Sequence, residues 1–251
     1  MAMERYRRLI GLPQVGEKGL SLLSKKRALV VGAGGLGTPA AAYIVASGTG
    51  HVTIVDGDVV ELSNLSRQVM YSVNDLGEAK AGVLARKLSL LNPEVVVEGF
   101  DVKIDPCDHD AVSQLVSGRD VVLSCVDNAP LRYALNRACV EQGIPLVDGA
   151  VGSFTGILTV VVPGSGPCYE CAFPQSRAGK VEGGPPIWSP LPGVVGSLQA
   201  SEALKLMLGI GDAEAGNILL IDLLAGTFKR VSAARNPSCR VCGSLWSKGN
   251  T

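Results

Sequence analysis

Residues 27–58 read RALVVGAGGLGTPAAAYIVASGTGHVTIVDGD. The opening RALVV is a short apolar run stopped by glycines, which predicts a buried strand. A glycine turn over 32–37, an alanine-rich helix to about Ser47 and a second strand over 51–55 complete a β-α-β unit. Gly32, Gly34, Gly35 and Gly37 supply a G-x-G-x-x-G spacing between strand and helix. Without side chains they let the backbone turn tightly and approach a phosphate, and the following helix start adds N–H groups and a positive end. Asp56 closes the second strand, where a carboxylate can accept from both ribose hydroxyls. This motif asks for a nucleotide without saying which; from it alone NAD stays open.

Outward from this unit the alternation continues. Residues 75–77 form a turn, 78–91 a helix stopped by Asn92-Pro93, 95–97 a strand, 109–116 a helix and 120–124 a strand. A helix over 130–142, capped by Asn128 or Asp127, and a strand over 145–147 follow. The first 150 residues therefore predict a right-handed, parallel, doubly wound sheet. The rest has a different rhythm. A β run over 156–162 has no helix before it, 176–192 is a Gly/Pro/Ser-rich loop expected to be mobile, 194–208 is helical, and 218–221 and 227–231 are antiparallel strands. The expected class is α/β, a Rossmann-like doubly wound sheet extended by antiparallel strands. No linker interrupts it, so 1–251 is taken as one domain: a helical arm over 1–26, a nucleotide-binding half over 27–150 and a second half over 151–251.

Composition narrows the partners. Hydrophobic residues make up 47% and charged residues 18%, which excludes a disordered chain. Lysine plus arginine equal aspartate plus glutamate at 23 each, so the total points neither to nucleic acid nor to an anionic membrane. The opening MAMERYRR lacks an apolar stretch behind it, and no apolar run is long enough to span a bilayer; a cytoplasmic location is expected. The basic residues near the start are expected to form a solvated helical face.

Beyond Asp56 and Asp58, the segment ELSNLSRQ over 61–68 brings Ser63, Asn64, Arg67 and Gln68. Asn64 and Arg67 are three apart and share a face on a helical turn. Lys80 opens the next helix, and Asp127 and Asn128 follow a buried strand at the edge where such folds bind ligands. Singly, Arg67 would be a surface ion-pair partner, Lys80 a solvated cation and Asp127 a helix cap. Jointly they give two cations for phosphate charge and a carboxylate able to hold Mg²⁺. Hydride transfer needs neither; attack on an α-phosphate needs both, which favours ATP over a nicotinamide.

Seven cysteines include two CxxC pairs, Cys168 with Cys171 and Cys239 with Cys242. Four thiolates at that spacing complete a closed tetrahedral zinc site, structural because no position is left for substrate. Cys125 and Cys139 lie in apolar settings and are expected in the core.

Taken as a set, these pieces resemble the ThiF/MoeB/HesA family, relatives of ubiquitin-activating enzymes. The matching stretches are RYRRLI at 5–10, GAGGLG at 32–37, DGD at 56–58, LSNLSRQ at 62–68, GEAKA around Lys80, CVDN at 125–128, PCYEC at 167–171, GVVGSLQASEALK at 193–205 and NPSCRVCG at 236–243. The resemblance implies an ATP-dependent adenylyltransferase. It would activate the C-terminal Gly-Gly carboxylate of a ubiquitin-like sulfur-carrier protein, releasing pyrophosphate. It implies that Gly35 approaches the phosphates, that Asp56 takes the ribose, that Asn64, Arg67 and Lys80 hold the triphosphate, and that Asp127 holds Mg²⁺. It further implies a homodimer in which Arg8 reaches the other subunit's site, with the carrier tail passing under a crossover loop over 176–192. That resemblance also extends to relatives adenylating another carboxylate, such as one on a tRNA base. Residues 175–191, QSRAGKVEGGPPIWSPL, contain no cysteine, which argues against a thioester at that place and for a separate sulfur donor. The short stretch after Cys242 likewise leads us to expect no C-terminal rhodanese domain.

Overall fold

In the computed structural model, residues 2–174, 186–213 and 215–243 are described. Three short helices, α1 (Ala2–Arg5), α2 (Arg7–Ile10) and α3 (Gly16–Leu23), precede β1 (Arg27–Val31), α4 (Gly37–Ala46) and β2 (His51–Val55). The first half continues with α5 (Lys80–Leu91), β3 (Val96–Phe100), α6 (His109–Val116), β4 (Val121–Ser124), α7 (Ala129–Gln142) and β5 (Leu146–Gly152). The second half comprises β6 (Thr155–Val161), α8 (Tyr169–Ala172), α9 (Pro190–Leu208), β7 (Asn217–Asp222) and β8 (Thr227–Ser232).

All eight strands join one sheet in the order β3-β2-β1-β4-β5-β6-β7-β8. Pairings among β3, β2, β1, β4 and β5 are parallel, and those from β5 to β8 are antiparallel, as the sequence predicts. The chain winds outward on both sides of β1, so β1 lies between β2 and β4. Val31 is in register with both Val55 and Ser124, which sets the exits of these three strands side by side at the sheet's carboxyl edge. A ligand crevice opens at such a switch point.

Strand alternation divides the apolar side chains between the two faces. Ala28 and Val30 pack with Ile44 of α4, Leu84 and Leu88 of α5 and Val195 and Met207 of α9. Leu29 and Val31 pack on the other face with Leu135 and Cys139 of α7 and Val116 of α6. Cys125 and Cys139 are both buried, as expected. The arm is fastened by Tyr6, whose ring lies against Gly48, where a Cβ would come within 2.9 Å, and whose hydroxyl accepts from Asn92 Nδ2 at 2.8 Å.

Several boundaries differ from the sequence reading. β3, expected over 95–97, runs over Val96–Phe100 because it pairs with β2 along its whole length. β5 does not end at 147: it runs to Gly152 and turns through Ser153, at φ 52°, to pair antiparallel with β6. Cross-strand pairing outweighs the glycines at 149 and 152, and Gly149 is needed there because a Cβ would lie 2.5 Å from the Gln199 side chain. α9 begins at Pro190, so the loop expected over 176–192 is helical in its last three residues. Proline fits a first helical turn because its missing N–H has no intrahelical role there. Just before it, Ser153 N donates to Pro186 O at 2.6 Å and Trp188 N to Ser153 O at 2.9 Å, while the Phe154 and Trp188 rings stack at 5.3 Å. Residues 176–185 of the expected loop lie outside the described residues. α5 starts at Lys80 rather than 78, because Glu78 O and Ala79 are taken up by Val60 and Val59 in extended pairing. Among the described residues no helix is long and apolar enough to cross a membrane.

Candidate active site

The glycine turn leaves β1 under tight steric limits. Gly32 sits at φ 97°, and a Cβ there would fall 2.5 Å from Cys125 O. At Gly37 a Cβ would lie 1.8 Å from Gly32 O, and at Gly35 it would meet Pro192 of α9 at 2.9 Å. Ala33 N donates to Asp56 Oδ2 at 2.6 Å, and Asp58 N to Asp56 Oδ1 at 2.8 Å. Burial pushes the Asp56 carboxyl pKa up, with those two N–H bonds acting against it. Each oxygen keeps a second lone pair, so the carboxylate can still accept a ribose hydroxyl. The N–H groups of Gly34, Gly35 and Leu36 find no acceptor among the described residues. Three open N–H groups ahead of a helix suit an anion.

The 61–68 segment folds into a 3-10 turn, Leu62–Asn64, beside this loop. Glu61 N donates to the buried Asn64 Oδ1 at 3.2 Å, and Arg67 N and Gln68 N both donate to Asn64 O at 3.0 Å. Asn64 thus organises the turn with its side chain as well as its backbone. Arg67 keeps its guanidinium near the surface, with Nη1 donating to Ser63 O at 3.1 Å. Gln68 is only 4% exposed, its Nε2 lies 3.5 Å from the place a Cβ on Gly34 would take, and its Oε1 has no partner among the described residues. An unsatisfied buried amide costs about 1–3 kcal/mol, which a donor on a bound ligand or its water would recover.

Lys80 is not a solvated cation. Its side chain is 8% exposed and its Nζ donates to Asp58 Oδ2 at 3.1 Å. Asn128, not Asp127, caps α7: its Oδ1 accepts from Leu131 N at 3.0 Å. Asp127 is exposed and without a hydrogen-bond or ion-pair partner among the described residues, which leaves its carboxylate uncommitted and able to hold a hard cation. Arg8, on α2, is likewise exposed and makes no such contact among the described residues.

Several residues here were not singled out from the sequence. Tyr71 Oη lies 2.8 Å from Ala33 O and 3.1 Å from Lys80 O. Beneath the Cys125–Asp127 segment, Arg132 donates to Asp148 Oδ2 and to Val126 O, Ser124 Oγ donates to Asp148 Oδ1 at 2.6 Å, and Gln199 Nε2 donates to Ser124 O at 2.8 Å. An arginine set among Leu131, Leu135 and Cys139 on the buried face of α7 was the available signal for Arg132. Nothing in local sequence ties it to Asp148.

The four CxxC cysteines come together. Sγ–Sγ distances are 3.8 Å for Cys168–Cys171, 3.7 Å for Cys168–Cys239 and 3.5 Å for Cys171–Cys242, and all four atoms lie within 4.8 Å of one another. A tetrahedron with Zn–S bonds of about 2.3 Å has edges of about 3.8 Å, so the donor set and spacing fit zinc. Cys168 caps α8 and the cluster packs into the core under α7, where Tyr169 N donates to Asn136 Oδ1 at 2.9 Å.

The sheet order, with its crevice at the β1 switch point and an antiparallel extension, defines a Rossmann-like α/β protein with a four-cysteine cluster. Residues 6–241 match the ThiF family, and the chain belongs to it. It is 44% identical over 244 residues to the SAMP-activating enzyme E1 of Haloferax volcanii, covering 96% of this chain and 89% of that protein. Identity is also 44%, over 251 residues, to the sulfur carrier protein adenylyltransferase of Thermus thermophilus, covering 96% and 91%. The crystal structure of E. coli MccB with MccA-N7isoASN superposes with a TM-score of 0.84 at 23% identity, over 97% of this chain and 75% of that one, a likeness of fold.

Proposed function

We propose that this chain is an ATP-dependent adenylyltransferase acting on the C-terminal Gly-Gly carboxylate of a ubiquitin-like sulfur-carrier protein. A carboxylate oxygen of the carrier bonds to the α-phosphorus, the bond from that phosphorus to the bridging oxygen breaks, and carrier-AMP and pyrophosphate result. The names of the two relatives support this reading. The observation that carries it is the set of uncommitted groups at neighbouring strand exits: the open N–H groups of Gly34, Gly35 and Leu36, and the free carboxylate of Asp127. A nicotinamide oxidoreductase would leave Asp127 and the cations without work.

Within this reading Gly35 gives the phosphates close backbone approach, Asp56 holds the ribose, and Lys80, Arg67 and Asn64 steady the triphosphate, Lys80 exchanging part of its contact with Asp58. Asp127 would hold Mg²⁺, which when bound offsets charge on the phosphoryl oxygens. Catalysis is then mostly positioning and electrostatic stabilisation, with no protein base required. The four cysteines would hold a structural zinc ion. The carrier is assigned to the second half, whose sheet face carries a groove of about 460 Å³ lined by Val151, Ile157, Leu220, Ile221 and Lys229. A homodimer would bring Arg8 to the other subunit's crevice. The shallow apolar groove of about 760 Å³ involving Tyr43, Val69, Met70, Leu198 and Phe228 supports association. Sulfur would come from a separate donor, since residues 175–191 hold no cysteine.

The test is exchange of labelled pyrophosphate into ATP with Mg²⁺, run against purified carriers ending in Gly-Gly. Exchange should require the carrier and vanish when its last glycine is removed. Absence of exchange with every such carrier, or turnover of a nicotinamide, overturns the assignment.

A further inference from the structure

Tyr71 ties together three segments that the nucleotide reading uses separately. Its backbone N–H donates to Gln68 O at 3.1 Å, at the end of the 61–68 segment. Its hydroxyl sits between Ala33 O of the glycine turn, at 2.8 Å, and Lys80 O at the head of α5, at 3.1 Å. The ring is buried, with Lys87 Nζ 5.8 Å from its centroid. A phenol has one hydrogen, so the nearer carbonyl, Ala33 O, takes the stronger share. Burial, then the carboxylates of Asp56 and Asp75, push the hydroxyl pKa far up, so it keeps its proton across the working pH range.

The consequence lies in the peptide between Ala33 and Gly34. In a trans peptide the C=O and the next N–H point in opposite directions. Holding Ala33 O on the phenol therefore turns the Gly34 N–H to the other side, and Ala33 N is independently held by Asp56 Oδ2. Gly34 has little steric resistance to peptide rotation. Without the phenol, Ala33 O is a buried acceptor deprived of its side-chain donor, and rotation of this peptide would replace a donor facing the anion by a repelling oxygen.

We infer that Tyr71 is a positioning residue for the nucleotide, its hydroxyl locking the Ala33–Gly34 peptide in the orientation that offers N–H groups to the phosphates. This rests on the ATP reading above. The test is Tyr71→Phe, measured for ATP affinity with Mg²⁺ by calorimetry and for KM in carrier-dependent exchange. Tyr133→Phe is the matched control, because Tyr133 Oη also donates to a backbone carbonyl, Phe173 O, at 2.7 Å beside the cysteine cluster. Tyr71→Phe should raise both Kd and KM for ATP about tenfold, with the KM for carrier unchanged. Tyr133→Phe should lower Tm and leave ATP affinity within about twofold of native. Replacing Tyr71 by 4-aminophenylalanine, which restores a donor at the same ring position, should recover most of the affinity. Native ATP affinity in Tyr71→Phe, equal losses in the two Phe variants, or no recovery with the amino analogue overturns the inference. No ATP uptake by the native protein overturns the nucleotide reading itself, and the role of Tyr71 with it.

Discussion

The crevice at the exits of β1, β2 and β4 and the cysteine cluster beneath α7 handle their polar groups in opposite ways. In the crevice, the N–H groups of Gly34, Gly35 and Leu36, the Gln68 Oε1 and the Asp127 carboxylate are without partners among the described residues. In the cluster every thiol has another within 3.8 Å, and the Cys239–Cys242 segment is braced by its own backbone, Gly243 N donating to Cys239 O at 2.8 Å. Groups left unsatisfied in a folded protein mark where something binds and leaves, whereas groups satisfied among themselves mark where the chain is fixed. Activity should therefore be lost without stability at the first region, and stability without affinity at the second.

The sharpest break of this contrast comes from Asp127→Ala. Pyrophosphate exchange should fall about 10³-fold or more, because the charge on the phosphoryl oxygens loses its counter-ion site. Calorimetric Tm should stay within about 2 °C of native, since an exposed, unpartnered side chain contributes little to folding. Retained exchange would remove Asp127 from the Mg²⁺ role. Next in size is Cys239→Ser. Zinc measured by atomic emission should fall from one ion per chain to a small fraction, and Tm should drop by roughly 10 °C, the equivalent of about 3–5 kcal/mol. ATP affinity of the folded protein should stay within a few-fold of native; an equal loss of affinity would erase the division between the two regions. The smallest effect concerns Asp75. Burial raises its carboxyl pKa, but hydrogen bonds from Lys87 and Ser72 outweigh this and hold it below the ordinary range. Its contribution is present above about pH 4 and lost as pH falls through the depressed value. Asp75→Asn should flatten the acid limb of urea-unfolding stability between about pH 4 and pH 2; an unaltered slope would deny the pairing energetic weight.

Much of this architecture was legible in the sequence because it rests on local pattern. The 27–58 stretch specified β1, the glycine turn, α4 and β2, and the apolar runs around 121 and 218 specified strands whose pairing followed from topology. The cysteine spacings anticipated a cluster that the fold assembles from residues 71 apart. What escaped was decided by tertiary contact. β5 outruns its apolar stretch because β6 offers it a partner, and α9 starts at Pro190 where composition suggested a loop. Lys80 was legible as a cation at a helix start, but its burial and its pairing with Asp58 depend on a residue 22 positions earlier in the chain. Tyr71 and the Arg132–Asp148 pair lie in no motif; their significance depends on which carbonyls they meet.

The four thiols also change what kind of object the chain is. A zinc ion held by Cys168, Cys171, Cys239 and Cys242 would close a ring of chain that contains all of α9, β7 and β8. With the cysteines sharing one ion, a single cut in the backbone between Cys171 and Cys239 opens that ring without separating the halves. Both ends would remain moored to that ion, and the severed molecule would stay connected as a branched chain.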